Sequence, residues 1–185
     1  MAIKSNPCKL CSSTYHTAAF CPKKPNKPIK SRSKPLKAAK TVSKPRKKST
    51  PRKLAKDKAW AAFSIYIRTR DCLRFTGEPT QGMCVTCKAK KPFKELQAGH
   101  FVAGRGNAVL FNEQVVYSQC SYCNQKPPMG LGGNYAAYTL FMFDEGYTRK
   151  EIEAFLALKG TTKQYKLNDF IEIEAVYKAK TKDLI

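Results

Sequence analysis

The sequence predicts an α+β fold in which a small metal-pinned hairpin is flanked by helices, behind a cysteine-bearing head and a basic tail. Three observations predict it. Two Cys-x2-Cys pairs, Cys84/Cys87 and Cys120/Cys123, stand 32 residues apart and bound a weakly alternating stretch with Gly-rich turns. Apolar residues recur at helical spacing on both sides of that stretch. Residues 22–58 hold 13 Lys, 3 Arg and one Asp, with recurrent Pro and no aromatic side chain, so they lack the means to bury a core.

The head, residues 1–21, contains Cys8-x2-Cys11-x4-His16-x4-Cys21. Spacers this short can wrap four ligands around one tetrahedral zinc. The pattern resembles a retroviral-type zinc knuckle, a single-strand nucleic-acid module, although Tyr15 stands where the knuckle has Gly. Residues 22–58 come next as a disordered Lys/Pro-rich linker, and order is expected from residue 59. In "AWAAFSIYIRTRDCL", Trp60, Phe63 and Ile67 share one helical face that reads as core, and lone Cys72 reads as a small buried hydrophobe. After the second cysteine pair, "NYAAYTLFMFDEG" reads as a helix closed by Gly146. Thr148 and Glu151 form a capping box for the next, which Gly160 ends, and a last helix covers "LNDFIEIEAVYKAKTKDL".

The core pairs, Cys84, Cys87, Cys120 and Cys123, predict a structural zinc site of four thiolates. Such a site has no open coordination position, so this metal builds a platform and does no chemistry. Two zinc ions per chain are therefore expected.

Lys and Arg total 35 against 13 Asp and Glu, a formal charge of +22, which calls for a polyanionic partner. Residues 22–58 alone carry +15 of it. Acidic lipid is the weaker partner, because no amphipathic basic helix accompanies the charge. No run of eighteen apolar residues is present to span a membrane, and the N-terminus lacks an apolar signal core. Eight cysteines in a chain expected to stay inside the cell point to metal before disulfides.

One histidine, His100, lies between the core cysteine pairs in "ELQAGHFVAGRGN". It is redundant as a zinc ligand, and a buried core role is the commoner fate of such a residue. Three neighbours argue for chemistry instead. Gly99 precedes it, and Gly104 and Gly106 follow in a turn where backbone can approach a ligand. Arg105 in that turn suits a phosphate. Asn124, directly after the last cysteine, is expected where the chain enters a helix, offering an oxygen ligand.

This arrangement resembles the ββα-metal, or HNH, nuclease fold in its zinc-pinned form. The resemblance implies that His100 activates water and that Asn124 binds a catalytic Mg²⁺ or Mn²⁺. Two positions depart from the pattern. Gly99 stands where many HNH nucleases have an acidic metal ligand, which leaves Glu113 and Asn134 as candidates for the second. The orienting asparagine usually lies nine positions before the final ligand, which here is Val115, and Asn112 stands three residues early. The stretch "LQAGHFVAGRGNAVLFNEQVVYSQCSYCN", with "GGNYAAYTLFM" and "AVYKAKTKDL", resembles the NinG (Rap) recombination nucleases of lambdoid phages over roughly residues 60–183.

That resemblance implies a phage-encoded enzyme of the host cytoplasm. It would hydrolyse branched DNA, such as Holliday junctions, to leave 5′-phosphate and 3′-hydroxyl ends. His100, Asn124 and Arg105 would be the catalytic residues of a domain spanning 59–185. Whether two subunits pair as a homodimer to cut opposing strands stays open. The rival reading is a non-catalytic zinc-ribbon nucleic-acid-binding protein, such as a phage regulator. A structural protein that coats DNA with its tail explains the charge alone.

Overall fold

The computed structural model of the protein describes Lys9 and residues 49–185 without Arg105. The rest of the head, with Cys8, Cys11, His16 and Cys21, and the linker up to residue 48 lie outside the described residues. Helix α1, Pro51–Thr76, is the spine of the folded domain. Its start is set by Thr50, whose side chain accepts from the Lys53 N–H, and by Pro51 in the first turn, where a missing N–H costs nothing. It stops at Gly77, whose φ of 75° suits glycine and whose N–H bonds the Leu73 carbonyl.

Helical order therefore begins at Pro51, ahead of the expected position 59. Lysine and arginine are good helix formers. Ala55 and Ala59 are also buried against Tyr165 and Phe170, which gives the basic stretch a core of its own to join. Arg52, Lys53, Lys56 and Lys58 consequently belong to a helix, not to a linker.

After α1 come two short antiparallel pairs: β1 (Gln81–Met83) with β2 (Lys90–Pro92), and β3 (Leu96–His100) with β4 (Val116–Cys120). The register of the second pair sets Leu96 opposite Cys120 and His100 opposite Val116. Between β3 and β4 runs a loop with the single-turn helix α2, Asn107–Leu110. Helix α3, Ser121–Asn124, succeeds β4 at once, and α4 (Tyr135–Asp144), α5 (Arg149–Ala157) and α6 (Leu167–Asp183) complete the chain. The architecture is α+β with two small sheets. Gly146, at φ 90°, lies just past α4, and the Thr148–Glu151 capping box is formed at α5.

Phe63 and Ile67 are wholly buried, as their spacing predicts, and Cys72 is buried with them. Phe63 meets Tyr177 of α6 edge-on, with ring centroids 4.8 Å apart. Each such side chain contributes about 1.5–3 kcal/mol by leaving water. Gly82 of β1 lies so close to α1 that a Cβ there would come within 2.5 Å of the Cys72 sulfur. Polar groups fix the second sheet to the same helix. Buried Asp71 accepts from the Ser118 N–H at 2.6 Å and pairs with Arg70, which also donates to the carbonyls of Glu113 and Val116.

Tyr138 of α4 closes the other side. Its buried hydroxyl accepts from the Tyr117 N–H and donates to the Gly99 carbonyl, both at 2.9 Å. Tyr138→Phe should therefore leave two buried backbone groups unpaired at the pairing that positions His100. Loss of about 1–3 kcal/mol in denaturant unfolding is expected, whereas Tyr135→Phe, at the exposed start of α4, should change it by less than about 0.5 kcal/mol.

Candidate metal centre and the adjoining cleft

The turn between β1 and β2 carries the first cysteine pair. Cys84 N–H bonds the Ala89 carbonyl and Lys88 N–H returns to the Cys84 carbonyl, while Lys88 adopts a left-handed φ of 59° to let the chain double back. Val85 N–H then bonds the Ser118 carbonyl of β4, so the turn leans on the second sheet. Cys120 ends β4 and Cys123 sits in α3. The four sulfurs lie within 4.8 Å of one another, with Cys87 and Cys120 3.9 Å apart. A tetrahedral zinc with bonds of about 2.3 Å to sulfur needs about 3.8 Å between ligands. The cluster can hold a zinc ion.

Its electrostatics prepare it for one. Burial raises the Cys84 thiol, but hydrogen bonds from the Cys87 backbone, the Thr86 side chain and the Cys120 backbone outweigh burial and bring it down to about 7. Burial and the neighbouring Cys84 push Cys87 up to about 12, despite the Ala89 N–H. Four thiols this close resist losing protons together until a cation shares their charge. Asn134, at the start of α4, points its amide nitrogen to the Cys123 sulfur at 3.8 Å.

His100 ends β3 beside this frame and is 6 % exposed. Trp60 of α1 stacks on its ring, with centroids 5.2 Å apart and planes 21° from parallel. The imidazole Nε2 faces the Leu110 carbonyl at 3.4 Å. Asn124 closes α3, and its Nδ2 donates to the Gln97 side chain at 2.7 Å, which turns Oδ1 away from Gln97. Both residues line one cleft of about 190 Å³, together with Gly104, Lys126, Gly132 and Tyr135. Two residues far apart in sequence thus share one opening beside the cysteine cluster.

Several expectations change. Asn124 ends its helix and does not open one. Pro127 and Pro128 follow Lys126, and proline neither donates the next helical hydrogen bond nor tolerates a helical residue before it. Glu113 is not at the cleft: its carboxylate accepts from Tyr66, Tyr177 and Lys180, between α1 and α6. Burial raises this carboxyl, but those three donors win and hold it below its ordinary value. Asn134 serves the cysteine cluster and is not among the cleft residues. Asn112 caps its own turn by accepting from the Gln114 N–H, and the backbone of Leu110 makes the contact to His100. Gly99 also gains a reason. A Cβ there would come within 2.1 Å of the buried Gln119 side chain, whose amide is held by the Gly133 carbonyl, so an acid at that position would require Gln119 to move.

Lys126 and Tyr135 are neighbours of this pair that the sequence leaves unmarked, and Trp60 is marked there for the core alone. Trp60 lies in an apolar stripe, where its helical spacing signals packing only, and nothing at the sequence level sets Lys126 apart from the many other lysines of the chain. Arg105 lies outside the described residues.

The family model described as Bacteriophage Lambda NinG protein matches residues 2–185. The chain belongs to the NinG family. No curated protein and no solved structure matches it. The NinG match spans both cysteine sets, and among the described residues no helix is long and apolar enough to cross a membrane.

Metal analysis separates the two cysteine sets. Cys123→Ser in the full chain should lose one zinc equivalent and lower the melting temperature, because binding at a closed site contributes directly to folding. Cys21→Ser should lose the other equivalent and leave the melt unchanged. A wild-type chain with one zinc would rule out a metal-bound knuckle.

Proposed function

We propose that this NinG protein is a metal-dependent DNA endonuclease acting on branched DNA in the host cytoplasm, with its reaction centre in the His100–Asn124 cleft. The observation that carries the proposal is the convergence of those two side chains on one cleft beside a four-cysteine frame. The sheet pair β3–β4 followed by α3 gives the ββα-metal reading its support.

His100 is the general base. A carbonyl only accepts, so in the neutral ring the Nε2 facing Leu110 carries the proton, and the neutral ring is the form that a general base needs. The Trp60 face beside the ring favours the imidazolium that forms as the proton arrives. Lys126 lines the cleft and supplies positive charge for the phosphate, and Arg105 is proposed to add to it. Asn124 Oδ1 is the protein oxygen for a hard cation. The described residues lining the cleft include no carboxylate, so Mg²⁺ or Mn²⁺ fits there chiefly in company with phosphate oxygens and water. Bound there, it would neutralise the phosphate and stabilise the departing 3′-oxygen.

A second reading draws on the same contacts. His100 is nearly buried, stacked and hydrogen-bonded, which also suits a structural histidine in a non-catalytic zinc-ribbon binder. Cleavage of linear, forked and four-way DNA with Mg²⁺ decides between them. His100→Ala should lower the rate by about 10² to 10⁴ while zinc content and DNA affinity hold. Asn124→Ala should instead raise the Mg²⁺ concentration needed. A wild-type chain that binds four-way DNA and never cuts it, with either metal, would make the zinc-ribbon binder the correct reading. An unfolded His100→Ala chain would make the histidine structural.

A further inference from the structure

A second cleft, of about 380 Å³, opens at the start of α1 and is lined by Thr50, Arg52, Lys53, Lys56, Asn107 and Phe170. Three of these six residues are cations and none is an acid. Two of the cations are held in place. Arg52 donates to the Tyr165 carbonyl at 2.7 Å, and Lys56 donates to the Asn107 side chain at 2.8 Å. Asn107 in turn donates to the Lys163 carbonyl at 3.0 Å.

Two features join this cleft to the one at His100. Gly104 lines the one at His100, and Asn107, three residues on, lines the basic one. On α1, Lys53, Lys56 and Trp60 are spaced three and four apart, so they fall on one helix face. That face runs from the basic cleft to the indole stacked on His100. Seven residues of helix cover about 10 Å, and a DNA strand advances about 3.4 Å per nucleotide along its axis.

We propose that the Lys53–Lys56 cleft is a phosphate subsite that grips the DNA backbone about three nucleotides from the phosphate held at His100. It rests on the nuclease reading for its register, though not for its chemistry: three cations without an acid, two of them ordered by carbonyl and amide partners, suit a phosphodiester. In this arrangement the last charges of the basic stretch set where the strand lies, whereas charges on the linker add affinity only.

The test is the salt dependence of binding to a labelled forked DNA, read by fluorescence anisotropy without added divalent metal, with cleavage assayed separately. Each phosphate contact contributes about 0.9 to the slope of log affinity against log salt on duplex DNA. Lys53→Gln with Lys56→Gln should reduce that slope by about 0.9 to 1.8, and Lys53→Arg with Lys56→Arg should keep it near wild type. Lys94→Gln with Lys150→Gln removes the same charge outside both clefts and should leave the slope near wild type. Retention by arginine at an unchanged melting temperature separates lost contact from lost fold. An unchanged slope in the first pair, or an equal fall in the control pair, overturns the subsite. If that happens while His100-dependent cleavage persists, only the subsite falls. If the slope falls as expected in a chain that never cuts, only the nuclease reading falls. A wild type that does not bind DNA overturns both.

Discussion

Four sulfurs within 4.8 Å of one another are the constraint on which this structure depends. Strands of three and five residues cannot hold two sheets in place by their own hydrogen bonds. The turn bearing Cys84 and Cys87 belongs to one sheet, and Cys120 belongs to the other. A shared zinc would join them at the point where β4 turns into α3, and so fix the end of β4 that leads to Asn124. Structural zinc sites contribute on the order of 10–16 kcal/mol to apparent binding in small peptides, comparable to the whole stability of an ordinary domain. A closed thiolate set leaves that ion no open position, so the proposed chemistry falls to the neighbouring cleft.

The long helix α1 supplies what the metal does not. Asp71 and Arg70 hold the backbone of β4 and of the segment before it, Phe63 packs on α6, and Trp60 covers the face of His100. The histidine thus lies between a strand tied to the cysteine cluster and a helix fixed by its own core. A carbonyl and an indole contact its ring, as the proposed chemistry requires of a positioned base. The same helix continues toward Thr50 as a cationic surface, so one element orients the proposed base and receives the backbone of its proposed substrate.

Much of this is legible in sequence, for definite reasons. Cysteine pairs announce themselves by spacing, because a metal imposes its geometry on short loops. Thr148 with Glu151 and the position of Gly146 mark helix ends through local hydrogen bonds, and Phe63 and Ile67 mark a buried face through periodicity. His100 and Asn124 stand out through resemblance to the HNH motif, and they do meet at one cleft. Distant contacts set the rest, and those leave no local trace. The α1 start at Pro51 depends on Tyr165 and Phe170, which lie far along the chain and bury Ala55 and Ala59. Glu113 looks available as a metal ligand until α6 brings Lys180 and Tyr177 to it. Gly99 looks like a lost ligand until Gln119 is seen to take the space.

A metal held by the four cysteines should be what keeps the His100–Asn124 cleft assembled, and hydrogen–deuterium exchange across the zinc-loaded and zinc-stripped protein tests that dependence most directly. With zinc removed, amides of Val116–Cys120 and Ser121–Asn124 should lose protection while those of α1 and α6, which pack on each other through Phe63 and Tyr177, keep most of theirs. Equal protection of β4 and α3 with and without zinc would contradict it, because the cleft would then be held by packing alone.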